Sequence, residues 1–239
     1  MNTVKIVVDG QELAVREDLP LIQALQKQGI YLPSLCYHHL LGGHGSCGLC
    51  VVEIHTGAGW RPSHACLLYP REGMQVNTDT PGTRRLRAWA ARLLLRRGPF
   101  REKKVEELLL RLVGEGRREM HPASPLPSPP GTAVDAAHHT SAALRRPVVE
   151  RAGTAAAFGP RPPTPAAGCI LCGLCVRVCQ KVGKDRLTFL WRGKNLQVGF
   201  VPGAEAEACG HCRACQRICP TGFIAPSARE AFTARLYTP

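Results

Sequence analysis

Eight of the chain's twelve cysteines fall in two matching quartets. One reads Cys169-Ile-Leu-Cys172-Gly-Leu-Cys175-Val-Arg-Val-Cys179. The other reads Cys209-Gly-His-Cys212-Arg-Ala-Cys215-Gln-Arg-Ile-Cys219 and is followed by Pro220. Both are C-x2-C-x2-C-x3-C, a run whose thiolates hold cubane [4Fe–4S] clusters. Three closely spaced thiolates can cap three corners of one cube. The fourth corner is reached from elsewhere, and in two-cluster proteins with this run each quartet's last cysteine serves the other cluster. The expected ligand sets are therefore Cys169, Cys172, Cys175 and Cys219 for one cluster, and Cys179, Cys209, Cys212 and Cys215 for the other.

The remaining cysteines, Cys36, Cys47, Cys50 and Cys66, are spaced C-x10-C-x2-C-x15-C, with Gly42, Gly43, Gly45 and Gly48 crowded between the first three. Glycine lets backbone wrap close to a cluster and turn its N–H groups toward the sulfurs. Four thiolates in this loop suit a [2Fe–2S] centre. All twelve cysteines are thus expected to bind iron, in three sets of four.

Rival chemistries fit these residues less well. Structural zinc prefers two separated C-x2-C pairs, whereas here three cysteines fall within seven residues, twice. Gly43-His-Gly45-Ser-Cys-Gly48 has the letters of a dinucleotide loop, but no βαβ helix follows and its fifth position is a cluster cysteine. No Walker loop, H-E-x-x-H or nucleophile elbow occurs. The radical-generating C-x3-C-x2-C order fails too, because Val182 stands where a third cysteine would follow Cys175 and Cys179. His211, inside the second quartet, reads as a polar neighbour that tunes a potential rather than a ligand. No catalytic residue, flavin site or nucleotide site is expected.

Composition agrees with small domains stapled by metal. Aromatic residues make up 5%, and glycine and proline together number 44 of 239, too lean for one large core. A disulfide scaffold conflicts with the C-x2-C spacings. The formal charge of +13 invites a nucleic-acid reading. Three four-thiolate clusters would lower it to roughly +7, and no nucleic-acid motif accompanies the charge, so no nucleic-acid partner is expected. The N-terminal MNTVKIVVDGQELAVRED lacks the basic-then-apolar pattern of a signal peptide. No stretch approaches about 18 consecutive apolar residues, so no direct membrane insertion is expected. A cytoplasmic location follows, where thiols stay reduced and free to bind iron.

The elements that must position these cysteines are legible in outline. Residues 3–8 and 12–16 around Asp9-Gly10 read as a hairpin. Asp18 is expected to N-cap a helix opened by Pro20 and stopped at Gly29. Residues 51–55 read as a strand, and 74–78 as the closing strand. Two basic amphipathic stretches, 84–97 and 101–118, flank Gly98-Pro99 and are expected to be solvated or partner-facing. Residues 122–168 hold ten of the twenty prolines and read as an extended linker. A hairpin over 186–191 and 196–201 is inserted between the quartets, and a short helix is expected after Pro226. The predicted fold is α+β. A β-grasp [2Fe–2S] domain (1–80) leads into a basic helical segment (81–121), a Pro/Ala-rich linker (122–166) and a two-[4Fe–4S] ferredoxin-like domain (167–239).

On these spacings the chain resembles the N-terminal electron-transfer module of the large iron–sulfur subunit of complex I. It is similar also to the small diaphorase subunit of NAD-linked [NiFe] hydrogenases and to the N-terminal part of iron-only hydrogenases. The likeness covers about 1–97 and 166–226, with Cys169 to Cys179 and Cys219-Pro220-Thr221-Gly222 matching most closely. The resemblance implies a non-catalytic subunit that passes electrons between a flavin-bearing, NAD(H)-handling partner and a second redox subunit such as a hydrogenase or formate dehydrogenase. One departure stands out. In that family a His/Cys3-ligated [4Fe–4S] cluster follows the [2Fe–2S] domain, whereas residues 84–168 contain no cysteine. His121, His138 and His139 cannot rebuild such a site and read as loop histidines. That gap motivates an alternative, an iron–sulfur subunit of an electron-bifurcating or ferredoxin-linked complex with the [2Fe–2S] centre as a side branch. A reading of another class is a zinc- and nucleic-acid-binding protein.

Overall fold

A computed structural model describes residues 2–117, 167–201, 209 and 212–224. The expected linker over 122–166, the C-terminal helix, and His121, His138, His139 and His211 all lie outside the described residues.

The first unit is a five-stranded sheet in the order β2-β1-β5-β3-β4. Strand β1 (Thr3–Val8) turns through Asp9 and Gly10, both at positive φ, into antiparallel β2 (Gln11–Arg16). Asp-Gly tolerates those two left-handed positions, which is why this dipeptide closes tight hairpins. The Asp9 carboxylate then accepts from the Thr78 N–H at 2.7 Å and the Thr78 hydroxyl at 2.6 Å. These bonds fasten the hairpin to the end of β5 (Gln75–Asn77), which runs parallel to β1. Strand β3 (Val51–Thr56) pairs antiparallel with β5 and with β4 (Gly59–His64). Residues 59–64 were not expected as a strand. Gly59, Pro62 and three polar residues carry no β signal, and an edge position tolerates the proline.

Helix α1 (Leu21–Lys27) lays Leu21, Ile22, Ala24 and Leu25 on Ile6, Val8, Val15, Val52 and Val76 to form the sheet's core. Asp18 does not cap it. The N-cap is Pro20, without a side-chain bond, and Asp18 instead pairs with Arg16, its Oδ1 accepting from Arg16 Nε at 2.9 Å. A bidentate ion pair within the β2 turn outcompetes the cap. The helix ends before Gly29, as expected, with that residue at φ +80°.

Helix α2 (Pro81–Leu95) starts three residues earlier than its apolar pattern suggests. Thr80 and Thr83 form a reciprocal capping box, with Thr83 N–H donating to Thr80 Oγ1 at 3.1 Å and Thr80 N–H donating to Thr83 Oγ1 at 2.9 Å. Pro81 occupies the first turn, where its missing N–H costs nothing. Helix α3 (Lys103–Arg117) folds back on α2 through Val105, Leu109, Leu112 and Gly116, buried at helical spacing. A Cβ on Gly116 would stand 2.2 Å from the Ala88 Cβ, so the helices cross at their closest there. Gly116→Val is expected to force them apart and to lower stability by about 1–3 kcal/mol, read as a lower urea midpoint at unchanged slope.

The second unit holds both quartets. Helix α4 (Leu174–Lys181) carries Cys175 and Cys179, and the short α5 (Ala214–Ile218) carries Cys215. The residues before them, Gly173 at φ +73° and Arg213 at φ +48°, occupy the same quartet position and share a left-handed backbone. The repeat is therefore conformational as well as chemical. Strands β6 (Leu187–Leu190) and β7 (Gln197–Phe200) form the expected hairpin between the quartets. The whole is α+β, with a [2Fe–2S]-type unit and a ferredoxin-like unit.

Candidate iron–sulfur centres

Cys36 follows α1, Cys50 precedes β3, and Cys66 lies in a 3-10 turn after β4, where Ala65 N–H donates to Cys50 O at 3.0 Å. Pairing of β3 with β4 thus brings Cys66 back beside Cys50, sixteen residues away. Cys36 and Cys47 sulfurs stand 3.3 Å apart, and Cys66 bonds both Cys36 and Cys50, so the four thiols form one contiguous set, all buried. Leu35 N–H points at Cys47 Sγ from 3.5 Å, and Ser34 Oγ lies 3.9 Å from the same sulfur. Hydrogen bonds from Cys47 and Cys66 hold the Cys36 thiol far below its ordinary value, while the reciprocal bonds push Cys47 and Cys66 up. Four thiols sharing protons at this range are a site built for a multivalent cation. Gly43 completes the cradle, since a Cβ there would meet Cys66 O at 2.1 Å.

Cys169, Cys172 and Cys175 approach one another and Cys219, each raising the Cys175 thiol beyond what burial does alone. Cys172 is pushed up to about 12 by burial, with Cys169, Cys219 and Cys36 adding to it. Cys179 keeps different company. Arg186 N–H donates to its sulfur at 3.2 Å, and it neighbours both Cys209 and Cys215. Burial pushes Cys215 up to about 11, and Cys212 stands exposed at the molecule's edge. Cys219 thus lies near Cys169, Cys172 and Cys175, and Cys179 near Cys209 and Cys215, while Cys215 is also close enough to Cys175 to raise its thiol.

These donor sets fit iron–sulfur clusters: four soft thiolates each, with amide N–H groups and glycines close to the sulfurs.

The units meet through cysteines. Cys36, Cys47, Leu35 and Leu49 share one buried cluster with Ala91, Leu94, Leu109 and Leu112 of the helix pair and with Ile170, Cys172 and Leu174. The α2–α3 corner grips the second unit: Arg97 O accepts from Gly168 N–H at 2.5 Å, Arg97 Nε donates to Cys169 O at 2.9 Å, and Glu102 N–H donates to Thr221 O at 3.2 Å.

Residues 1–81 match the 2Fe-2S iron-sulfur cluster binding domain, and residues 168–223 match the 4Fe-4S dicluster domain. The chain carries two iron–sulfur domains. Over 98% of its length it is 26% identical to NADH dehydrogenase [ubiquinone] iron-sulfur protein 1, mitochondrial, of Solanum tuberosum, and spans 29% of that protein. Over 41% of its length it is 34% identical to an NADH-quinone oxidoreductase subunit of Rickettsia bellii, spanning 14% of it. In a crystal structure of NAD+-reducing [NiFe]-hydrogenase in the H2-reduced state, one chain shares the fold. The TM-score is 0.61 at 24% identity, covering 92% of this chain and 85% of that one. The chain is thus similar in sequence to these NADH dehydrogenase and NADH-quinone oxidoreductase subunits, spanning less than a third of each, and shares its fold with the hydrogenase chain.

Sequence reasoning missed one residue beside the first centre. Arg87 was expected on a solvated basic helix, yet it is 7% exposed, and its Nη2 donates to Val51 O and Thr78 O at 2.6 Å each. Its helical position, one turn before the buried Ala91, was the available signal. No helix among the described residues is long and apolar enough to cross a membrane.

Proposed function

We propose that the chain is a non-catalytic electron relay holding one [2Fe–2S] and two [4Fe–4S] clusters. Its partners would be a flavin-bearing, NAD(H)-handling subunit at one end and a hydrogenase- or formate dehydrogenase-type subunit at the other. Cys36, Cys47, Cys50 and Cys66 hold the first centre. Cys169, Cys172, Cys175 and Cys219 hold the second, and Cys179, Cys209, Cys212 and Cys215 the third. Bound there, each cluster supplies one-electron chemistry at a potential set by burial and hydrogen bonds.

The observation that carries this reading is the shared buried cluster in which Cys36 and Cys47 pack with Ile170 and Cys172. A relay needs its centres close together and its intervening medium dry. Leu35, Leu49, Leu94 and Leu174 exclude water there, and Leu35 and Arg186 N–H groups orient sulfurs. The same contact runs against a side-branch role for the first centre, because no extra cluster is needed between the units. The names of the relatives support an NAD(H)-handling and a hydrogenase-type partner, and the half-exposed third set supports an exit or entry at that edge.

Metal analysis of anaerobically purified protein tests the proposal. About ten irons per chain are expected, with a brown colour that bleaches on reduction and distinct spin-resonance signals from two-iron and four-iron centres. Zinc with little iron would overturn it. Co-purification with a flavoprotein checks the partner.

A further inference from the structure

We propose that Arg177 and Lys181 are positioning residues that clamp the loop of the first iron centre onto helix α4 and so fix the separation of the first two centres. This rests on the cluster reading above. Helix α4 begins two residues after Cys172 and itself carries Cys175 and Cys179, so whatever α4 holds is held in register with the second unit's metal ligands.

Arg177 and Lys181 are four residues apart and share one face of the helix. Arg177 Nη1 donates to Gly42 O at 3.3 Å, and Lys181 Nζ donates to Leu40 O at 2.8 Å. Residues 38–42 form a closed turn: Gly42 N–H donates to His38 O at 2.7 Å and Leu41 N–H to the same oxygen at 2.9 Å. The two cations thus grip a preformed unit through its carbonyls, with charge-assisted bonds. That unit lies between Cys36 and Cys47, two ligands of the first centre.

A second contact lies close by. The His44 ring is nearly parallel to Phe189 of β6, 6.4 Å between centroids. Gly173 makes room for the pair, since a Cβ there would meet Phe189 at 3.1 Å and His44 Nε2 at 3.5 Å. The loop is therefore held at 40–42 and again at 44 by the second unit. The bonds at Arg97 and Glu102 fasten the helix pair to the second unit but do not touch this loop. Without the clamp, the loop keeps its own turn, its cysteines, the His44–Phe189 contact and the packing of Leu41.

The test compares the full chain with the double variant Arg177→Met/Lys181→Met. Iron content and visible absorption should stay unchanged, while amide exchange over 38–45 rises on the order of tenfold or more. In dithionite-reduced protein, the magnetic interaction between the two-iron and four-iron signals should weaken in the double variant and return in Arg177→Lys/Lys181→Arg. Unchanged exchange and unchanged interaction would overturn the clamp. A wild-type chain that takes up no iron defeats the cluster reading instead. Exchange over 38–45 in the metal-free chain and its double variant then still decides the clamp.

Discussion

Gly43→Ala is expected to remove the first iron centre and leave the other two in place. The added Cβ would fall 2.1 Å from Cys66 O, 2.7 Å from Cys66 C and 2.8 Å from Cys66 Cβ. All three atoms belong to the segment that delivers the fourth thiolate, and none is the end of a flexible side chain. Relief requires the 38–45 loop or the Cys66 turn to move, which parts Cys66 from Cys36 and Cys50. Overpacking of this kind costs about 1–3 kcal/mol, and the lost ligand geometry costs the site its metal. The expected result is a loss of about two irons per chain, with the two-iron spin-resonance signal gone and the four-iron signals intact. Gly57→Ala is the control: nothing lies within 4 Å of a Cβ there and its φ is not positive. Full iron content in Gly43→Ala would show that the loop yields without disturbing the thiolates.

The second large effect belongs to Arg87. Its guanidinium is buried, joins α2 to β3 and to the end of β5 through Val51 O and Thr78 O, and stands 4.0 Å from Asp79 Oδ1. Burial lowers its pKa, while Asp79 and the Cys50 thiolate raise it. Arg87→Met leaves two interior carbonyls without that donor, an expected loss of about 2–5 kcal/mol. The same change lowers the reduction potential of the first centre, because a buried cation favours the more negative reduced state. As a scale, any two unit charges about 10 Å apart at an effective dielectric near 20 interact by roughly 1.7 kcal/mol, on the order of 70 mV for one electron. Arg87→Lys separates the two roles. It keeps the charge and so most of the potential, but its stem is one bond shorter than the one that carries Nη2 to both carbonyls, so it loses stability. Redox titration and urea denaturation of both variants check this, and an unshifted potential in Arg87→Met would remove Arg87 from the electrostatics.

The parts legible in the sequence are those whose causes are local. Asp9-Gly10, the Gly29 stop, the β-branched run of β1 and the 186–201 hairpin each depend on a few adjacent residues. The edge strand 59–64 was not legible because Gly59, Pro62 and the polar residues between and after them outweigh the β preference of Trp60. Pairing with β3 makes it a strand, and that pairing is a long-range event. Asp18 looked like a cap because its type and position fit one; a nearer Arg16 took it. Arg87 looked like solvent-facing charge because periodicity reports a helix's own apolar stripe and not the two carbonyls waiting beneath it.

The cysteine chemistry was determined by the sequence alone. Three thiolates within seven residues can reach one cube through local backbone geometry, and the repeat of that spacing predicts an exchange of fourth ligands. What the tertiary structure alone decided is how the two units meet. Residues 84–168 contain no cysteine, so the sequence left a stretch without candidate thiolate ligands between two cluster domains. Folding closes the described part of that stretch with a helix pair whose apolar faces pack on both units at once, and Cys36 comes to share a core with Cys172. Contacts between residues more than a hundred positions apart depend on surfaces that exist only after each unit has folded, and no local spacing encodes them.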